Sequence, residues 1–457
     1  MLAFSKKIRN TVKPGAIVLL GGVLCLLIFR AFQPSIEGER EAAVLVQRLR
    51  WPENFAEARA LIQQLEAIGE PSLAPLLETL ESPHGDEFYI LDALKGIGQP
   101  SVAPLIHFVE SHESFLSFDD WGLTSRLPRW IQSYILNPSD ESSIKKSAYR
   151  LLVEIAPSDQ TVLDLLIQGT GDDYEINRVF AILFMGKMDD RFESQIVSTL
   201  AQHTSDPSRV VRHRVATILG QFAETSASAH ETLVILLNDT DPYVRRVAAK
   251  VIGETGNVDE PTYRKLLSGL KDKDSGFRVA CAGALWRLGR DREAAMGVFE
   301  DQLRDRIELS RTLKELEAIG PDMIGLVEEI ESLFEHADDT FRVLAARSHW
   351  ALTGEDSRLL SNLDKVINTS NNRGQSHAVG SLGLLGPKAR EIIPSVIEVA
   401  RNDSHLMLEA IHAFEKIGPP ATEAIPFIEE ALNHRAPFIQ KAAHEALTAI
   451  RASAGDE

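Results

Sequence analysis

What this chain has little of narrows its class before any motif is read. Cysteine is used twice in 457 residues, at Cys25 and Cys281. Two such distant thiols give neither a disulfide framework nor a CxxC metal site, and Cys281 reads as a small core residue. Aromatic residues make up only 7% of the chain, while the apolar remainder is largely Leu, Ala, Ile and Val, which suits packed helices. No phosphate-binding glycine loop and no Ser/His/Asp signature occurs. Positive charge is also in deficit, with 48 Lys and Arg against 66 Asp and Glu. Nucleic acid is therefore set aside as a partner, because that affinity comes largely from Lys and Arg displacing counterions from phosphates.

Long apolar runs are nearly absent too. The one exception is Ala16–Phe29, shorter than the roughly 20 residues a bilayer span needs. Extending it to Val12–Phe32, with Lys13 and Arg30 snorkelling, brings it into range. Residues 1–34 carry five basic side chains and no acidic one. A cleaved signal peptide and an uncleaved anchor both fit this pattern. No small-x-small site follows Phe29, and Leu24 is too large for a lipidation signal at Cys25, so the anchor is preferred. The expectation is a cytoplasmic N-terminus (1–13), a transmembrane segment (14–32) and a stalk (33–52). The positive-inside rule then makes this a single-pass membrane protein with its main body periplasmic or otherwise extracytoplasmic.

From residue 53 the chain is periodic. Asp206-Pro207-Ser208-Arg209-Val210-Val211-Arg212, Asp241-Pro242-Tyr243-Val244-Arg245 and Asp274-Ser275-Gly276-Phe277-Arg278 place an arginine every 33 residues. Small and apolar residues follow each arginine in step: Ala216 and Leu219, Ala249 and Ile252, Ala282 and Leu285. Breaks recur at Gly69, Gly98, Ala156, Asp189, Ala223, Gly256, Gly289, Gly320, Thr353, Gly386, Gly418 and Arg451. Glycine suits a helix C-terminus because it accepts positive φ, and a proline soon after suits the first turn of the next helix. Gly69-Glu70-Pro71-Ser72 and Gly98-Gln99-Pro100-Ser101 show the device. A period in this range is the signature of a stacked array of helix pairs. The 58-residue step from Gly98 to Ala156 holds one irregular, aromatic-rich repeat over 107–140, and 452–457 is a tail.

The pattern Asp-Pro-x-Val-Arg, an Ala-rich helix, Leu-Gly or Ile-Gly and a Pro-containing second helix resembles HEAT repeats, in the short form called phycobilisome-lyase HEAT-like. The resemblance covers nearly everything after residue 53. It implies an all-α fold, a right-handed α-solenoid of about 11–12 helix pairs over 53–451; the apolar run read above as an anchor is expected to precede it as one transmembrane helix. It is specific for fold and weak for function, since most such arrays are scaffolds.

Arg178, Arg212, Arg245, Arg278 and Arg342 share one phase of the repeat, with Leu309 interrupting the column. A cation in a helix's first turn opposes the macrodipole and needs compensation. Asp241, Asp274 and Asp338, each four residues earlier and near the N-cap, are expected to supply it as an inter-repeat ladder. The competing reading is a basic stripe for an anionic ligand. Phe115, Phe118, Trp121, Trp130 and Tyr134 concentrate aromatics in the irregular repeat, as a partner-binding loop or as a hydrophobic plug.

Deoxyhypusine hydroxylase, an enzyme on this repeat fold, holds a di-iron site with recurrent His-Glu pairs. Here His112-Glu113, His230-Glu231 and His444-Glu445 lie 118 and 214 residues apart at different phases of the repeat. They do not match. The expected function is a scaffold for a protein partner, not an enzyme, with no cofactor and no metal. The alternative is a lyase-like helper in cofactor attachment.

Overall fold

The structure, a computed structural model, describes residues 37–80, 87–111, 138–256, 258–369, 372–401 and 403–452. None of these residues forms a strand. Two compact units divide at Ala156 and Pro157.

The first unit contains α1 (37–49), α2 (Phe55–Ile68), α3 (Leu73–Leu80), α4 (Glu87–Ile97), α5 (Val102–Ser111) and α6 (Pro138–Ile155). The segment expected as a stalk supplies α1, whose Ala42, Leu45, Val46 and Leu49 are buried. The apolar positions recur at three- and four-residue steps, so one stripe of the helix faces the core. Asn54 caps α2 by accepting from Glu57 N. Gly69 and Gly98 end α2 and α4 at φ 74° and 75°, a conformation that glycine adopts without steric cost. The Pro-Ser pairs then have a second use. Ser72 Oγ donates to Leu65 O, and Ser101 Oγ donates to Leu94 O, each at 3.0 Å. Each hydroxyl thus adds a second bond to a carbonyl that already accepts from the amide of the capping glycine, Gly69 or Gly98.

The second unit alternates first and second helices of each pair. The second helices are α7 (Gln160–Gly169), α9 (Glu193–Gln202), α11 (Ala227–Leu236), α13 (Glu260–Gly269), α15 (Arg292–Asp305), α17 (Val327–Glu331), α19 (Asp356–Thr369), α21 (Ile393–Ala400) and α23 (Ile425–Ala431). The first helices are α8 (Glu175–Met185), α10 (Arg209–Leu219), α12 (Pro242–Glu254), α14 (Ser275–Arg287), α16 (Leu309–Ile319), α18 (Asp339–Thr353), α20 (Asn372–Ser381), α22 (Ser404–Ile417) and α24 (Pro437–Ala452). Each first helix from α8 to α22 packs on the next first helix, and every first helix packs on the second helix that precedes it.

Residue size sets how closely the first helices approach. Ala216, Ala249, Ala282 and Ala346 are buried, as are Leu219, Ile252 and Leu285; burial of each of the latter three contributes about 2 kcal/mol. Between α12 and α14 the approach is so close that a Cβ on Gly253 would lie 2.4 Å from Ala284 Cα. Apart from Arg278, α14 is buried from Gly276 to Trp286, as expected of a helix with no polar face. One junction departs from the pattern. Arg306 and Glu308 adopt φ 55° and 51°, left-handed values uncommon for such residues, and Leu309 is buried where the neighbouring repeats place an arginine.

The membrane assignment is corrected. Among the described residues no helix is long and apolar enough to cross a bilayer. The 14–32 segment on which the single-pass placement rested lies outside those residues, and the extracytoplasmic location inferred from it loses its support.

Candidate functional site

The turns that lead into the first helices are the most regular polar feature of the second unit. Arg178 Nη1 donates to the carbonyls of Asp172 and Asp173 at 2.9 and 3.0 Å. Arg212 does the same to Asp206 and Pro207, Arg245 to Asp239 and Thr240, and Arg278 to Asp272 and Lys273. Arg342 donates to His336 O at 3.2 Å. Each arginine therefore closes the turn that precedes its own helix. The residue six positions earlier locks the turn from the other side: Asp206, Asp239 and Asp272 accept from the amides of Ser208, Asp241 and Asp274, all at 2.8 Å.

The remaining guanidinium nitrogens reach forward by one repeat. Arg178 Nε and Nη2 bond both oxygens of Asp206 at 3.0 Å, and Arg212 bonds both oxygens of Asp239 at 2.7 and 3.0 Å. Arg245 Nη2 lies 3.5 Å from Asp272 Oδ1, with its guanidinium over the Phe277 ring. These arginine side chains are each 12% exposed, and Asp206 and Asp239 are 5% and 6% exposed. A lysine could not make the paired bonds and the carbonyl bonds together.

The acids that pair with the column are thus six residues before the next arginine, not four. Asp241, Asp274 and Asp338 are N-caps that accept from Tyr243, Phe277 and Thr340 amides. Asp274 also pairs with a different arginine, Arg246, at 2.8 and 2.5 Å. Asp241 lies 3.5 Å from Arg209, which is largely exposed. Arg342 turns to Asp339 in its own helix. The missed signal was in the sequence: Asp172, Asp206, Asp239 and Asp272 each precede an arginine by six residues.

Electrostatics follow the geometry. Burial pushes the Asp239 carboxyl up, but bonds from Arg212 and the Asp241 amide, with the charges of Arg212 and Arg245, hold it below the ordinary range. Asp274 balances burial against Arg246 and the Phe277 amide in the same direction. Arg212 and Arg246 are raised, chiefly by Asp239 and Asp274.

Phe115, Phe118, Trp121, Trp130 and Tyr134 lie outside the described residues, as does His112. His230-Glu231 is on second helix α11 and His444-Glu445 is on first helix α24. Among the described residues no group of three or more His, Cys, Asp or Glu is placed to hold a metal ion. Cys281 is buried in α14, where loss of hydration pushes its thiol pKa up. Among the described residues a surface hollow of about 430 Å³ lies between Glu300, Arg304, Glu328 and Ser332, and another of about 450 Å³ lies beside His336, Asp338 and Arg373.

Residues 197–286 and 230–308 match the sequence profile of HEAT repeats. Residues 197–308 are HEAT repeats. Deoxyhypusine hydroxylase of Candida albicans is 24% identical over 294 residues, 62% of this chain and 89% of the relative. The CpcE–CpcF complex of phycocyanin lyase from Nostoc is similar in structure, with 19% identity, 56% of this chain and 94% of that chain covered, and a TM-score of 0.36. Karyopherin Kap121p bound to the extreme C-terminus of the protein phosphatase Cdc14p gives 12%, 96%, 53% and 0.37. Scores this low carry no argument about function. The expectation that the chain is not an enzyme is withdrawn, because the sequence relative that covers 62% of it is a hydroxylase.

Proposed function

We propose that the chain is a scaffold whose HEAT-like helix pairs, wound right-handed, hold a partner protein. The observation that supports this most is the stacking of first helix on first helix through the second unit, with the turns at Arg178 and Arg212 tied to the next by buried Arg–Asp pairs. Stacked repeats present long continuous surfaces suited to protein recognition, and charge-assisted pairs hold successive repeats in fixed register. An enzymatic reading is favoured by the hydroxylase relative. Crosslinking followed by co-purification of the full chain separates the two. A partner recovered in stoichiometric amount supports the scaffold. Turnover by the purified chain, with no such partner, sinks it.

A further inference from the structure

The net charge of −18 conceals a separation between the two layers of the second unit. First helices α10 to α20 contain 13 Lys and Arg against 4 Asp and Glu, whereas the intervening second helices α11 to α19 contain 6 against 11. The first-helix layer is positive in a negative protein. Many of its cations are consumed internally: Arg212 and Arg246 pair with turn aspartates, Arg287 with Glu315 and Arg347 with Glu317. Others are not. Among the described residues no carboxylate lies within ion-pair distance of Arg214, Lys314 or Arg373, and Arg311 reaches only Glu308 at 3.5 Å.

These cations share one face. Arg214, Arg246 and Arg311 sit one or two residues after the turn position of their helices, and Lys250, Lys314 and Arg347 sit one helical turn later. The face curves inward. Arg246 on α12 passes over α14 to lie 3.9 Å from Glu308, at the start of α16. Its guanidinium fills the space a Cβ on Gly276 would need, and Glu315 does the same at Gly283. Arg311 on α16 acts electrostatically on His213 of α10, three repeats back; burial and then Arg214 and Arg311 lower that histidine's pKa. His377 on α20 is likewise lowered by burial and then by Arg373, Lys314 and Arg347, with Asp338 opposing. An apolar row borders the cations, formed by the exposed Ile176, Val210 and Tyr243 at equivalent repeat positions.

We infer that the inner face of first helices α10 to α20 docks an extended, Asp- and Glu-rich segment of a partner protein. This rests on the scaffold reading and names the chemistry of its partner. Complementary charge selects the occupant: Arg214, Lys314 and Arg373 stand unpaired on α10, α16 and α20, spread along the array so that only an extended chain carrying several carboxylates meets all three. A polypeptide is favoured over nucleic acid because the Tyr243 ring is already stacked on His213, 4.3 Å apart and 9° from parallel, which removes a platform for bases.

The test uses the full chain and fluorescence anisotropy of a labelled peptide of alternating Glu and Ala, with a Lys-Ala peptide and a single-stranded oligonucleotide of equal length. The acidic peptide is expected to bind, the basic one not, and binding should fall with added salt. Lys314→Glu with Arg373→Glu should weaken it about tenfold or more. Arg264→Glu with Lys271→Glu, the same charge change on and beside second helix α13, should leave it unchanged. Circular dichroism showing equal melting temperatures establishes that both double variants fold. Equal weakening by both pairs, absence of acidic-peptide binding, or tighter binding of the oligonucleotide overturns the inference. If Lys314→Glu/Arg373→Glu retains a co-purified partner in full, this surface is wrong while the scaffold reading survives.

Discussion

At Asp206–Arg212 and at His434–Gln440 the chain makes the same turn with different side chains. Asp206 accepts from the amide two residues on, and Arg212 donates back to the Asp206 carbonyl at 2.7 Å. In the last helix pair His434 Nδ1 accepts from Ala436 N at 3.0 Å, and Gln440 Nε2 donates to His434 O at 2.5 Å. Closing the turn therefore needs one acceptor and one donor six residues apart, and neither has to be charged. What arginine adds is a second pair of donors. Arg212 spends them on Asp239 in the following repeat; a glutamine, with a single amide nitrogen, cannot close its turn and also make that paired bond to both oxygens of a carboxylate. His336–Arg342 is intermediate, since its turn is closed by a histidine and its arginine turns back to Asp339. Turn closure and repeat linkage are separate functions that the arginine column combines.

The largest effect that would test this separation is expected from Asp239→Ala. It strands a nearly buried guanidinium and opens the next turn, so stability should fall by about 3 kcal/mol in urea unfolding. A loss no greater than that of a surface substitution would mean that the link carries little. Packing in the same stretch gives a second measure. Gly253→Ala places a methyl group against the Ala284 backbone and should cost about 2 kcal/mol, with α12 and α14 forced apart. Gln440→Ala removes the bond that closes its turn, for an expected loss of about 1 kcal/mol. If it matched Asp239→Ala, linkage would have no separate value.

Acid gives the smallest and most selective test. Asp239 is held below its ordinary value in the folded chain, by Arg212 and the Asp241 amide against burial. Its contribution is therefore complete above the unfolded carboxylate value, about 4, and is lost as pH falls through the lower folded value. Hydrogen exchange measured down that range should show the Asp241 amide losing protection with Asp239 intact and showing no such step in Asp239→Asn.

Much of the fold was legible because local chemistry carried it. Gly69, Gly98, Gly256, Gly289, Gly320, Gly386 and Gly418 were all readable as breaks, and all seven have positive φ. Asp241, Asp274 and Asp338 were readable as caps. The partners of the arginines were less so, because Arg178 to Asp206 and Arg212 to Asp239 are 28 and 27 residues apart. That pairing depends on how one repeat stacks on the next. The charge separation between layers was hidden for a similar reason: first and second helices alternate along the chain, so their opposite signs cancel in any local window.

The helix Ser275–Arg287 has a final consequence. It is enclosed almost all round, and its Cys281 is the one free cysteine among the described residues, with no solvent exposure. A reagent can meet that sulfur only when neighbouring helices part. The chain thus carries its own clock for the breathing of its middle repeats, one that runs at the rate at which the array opens rather than at the rate of thiol chemistry.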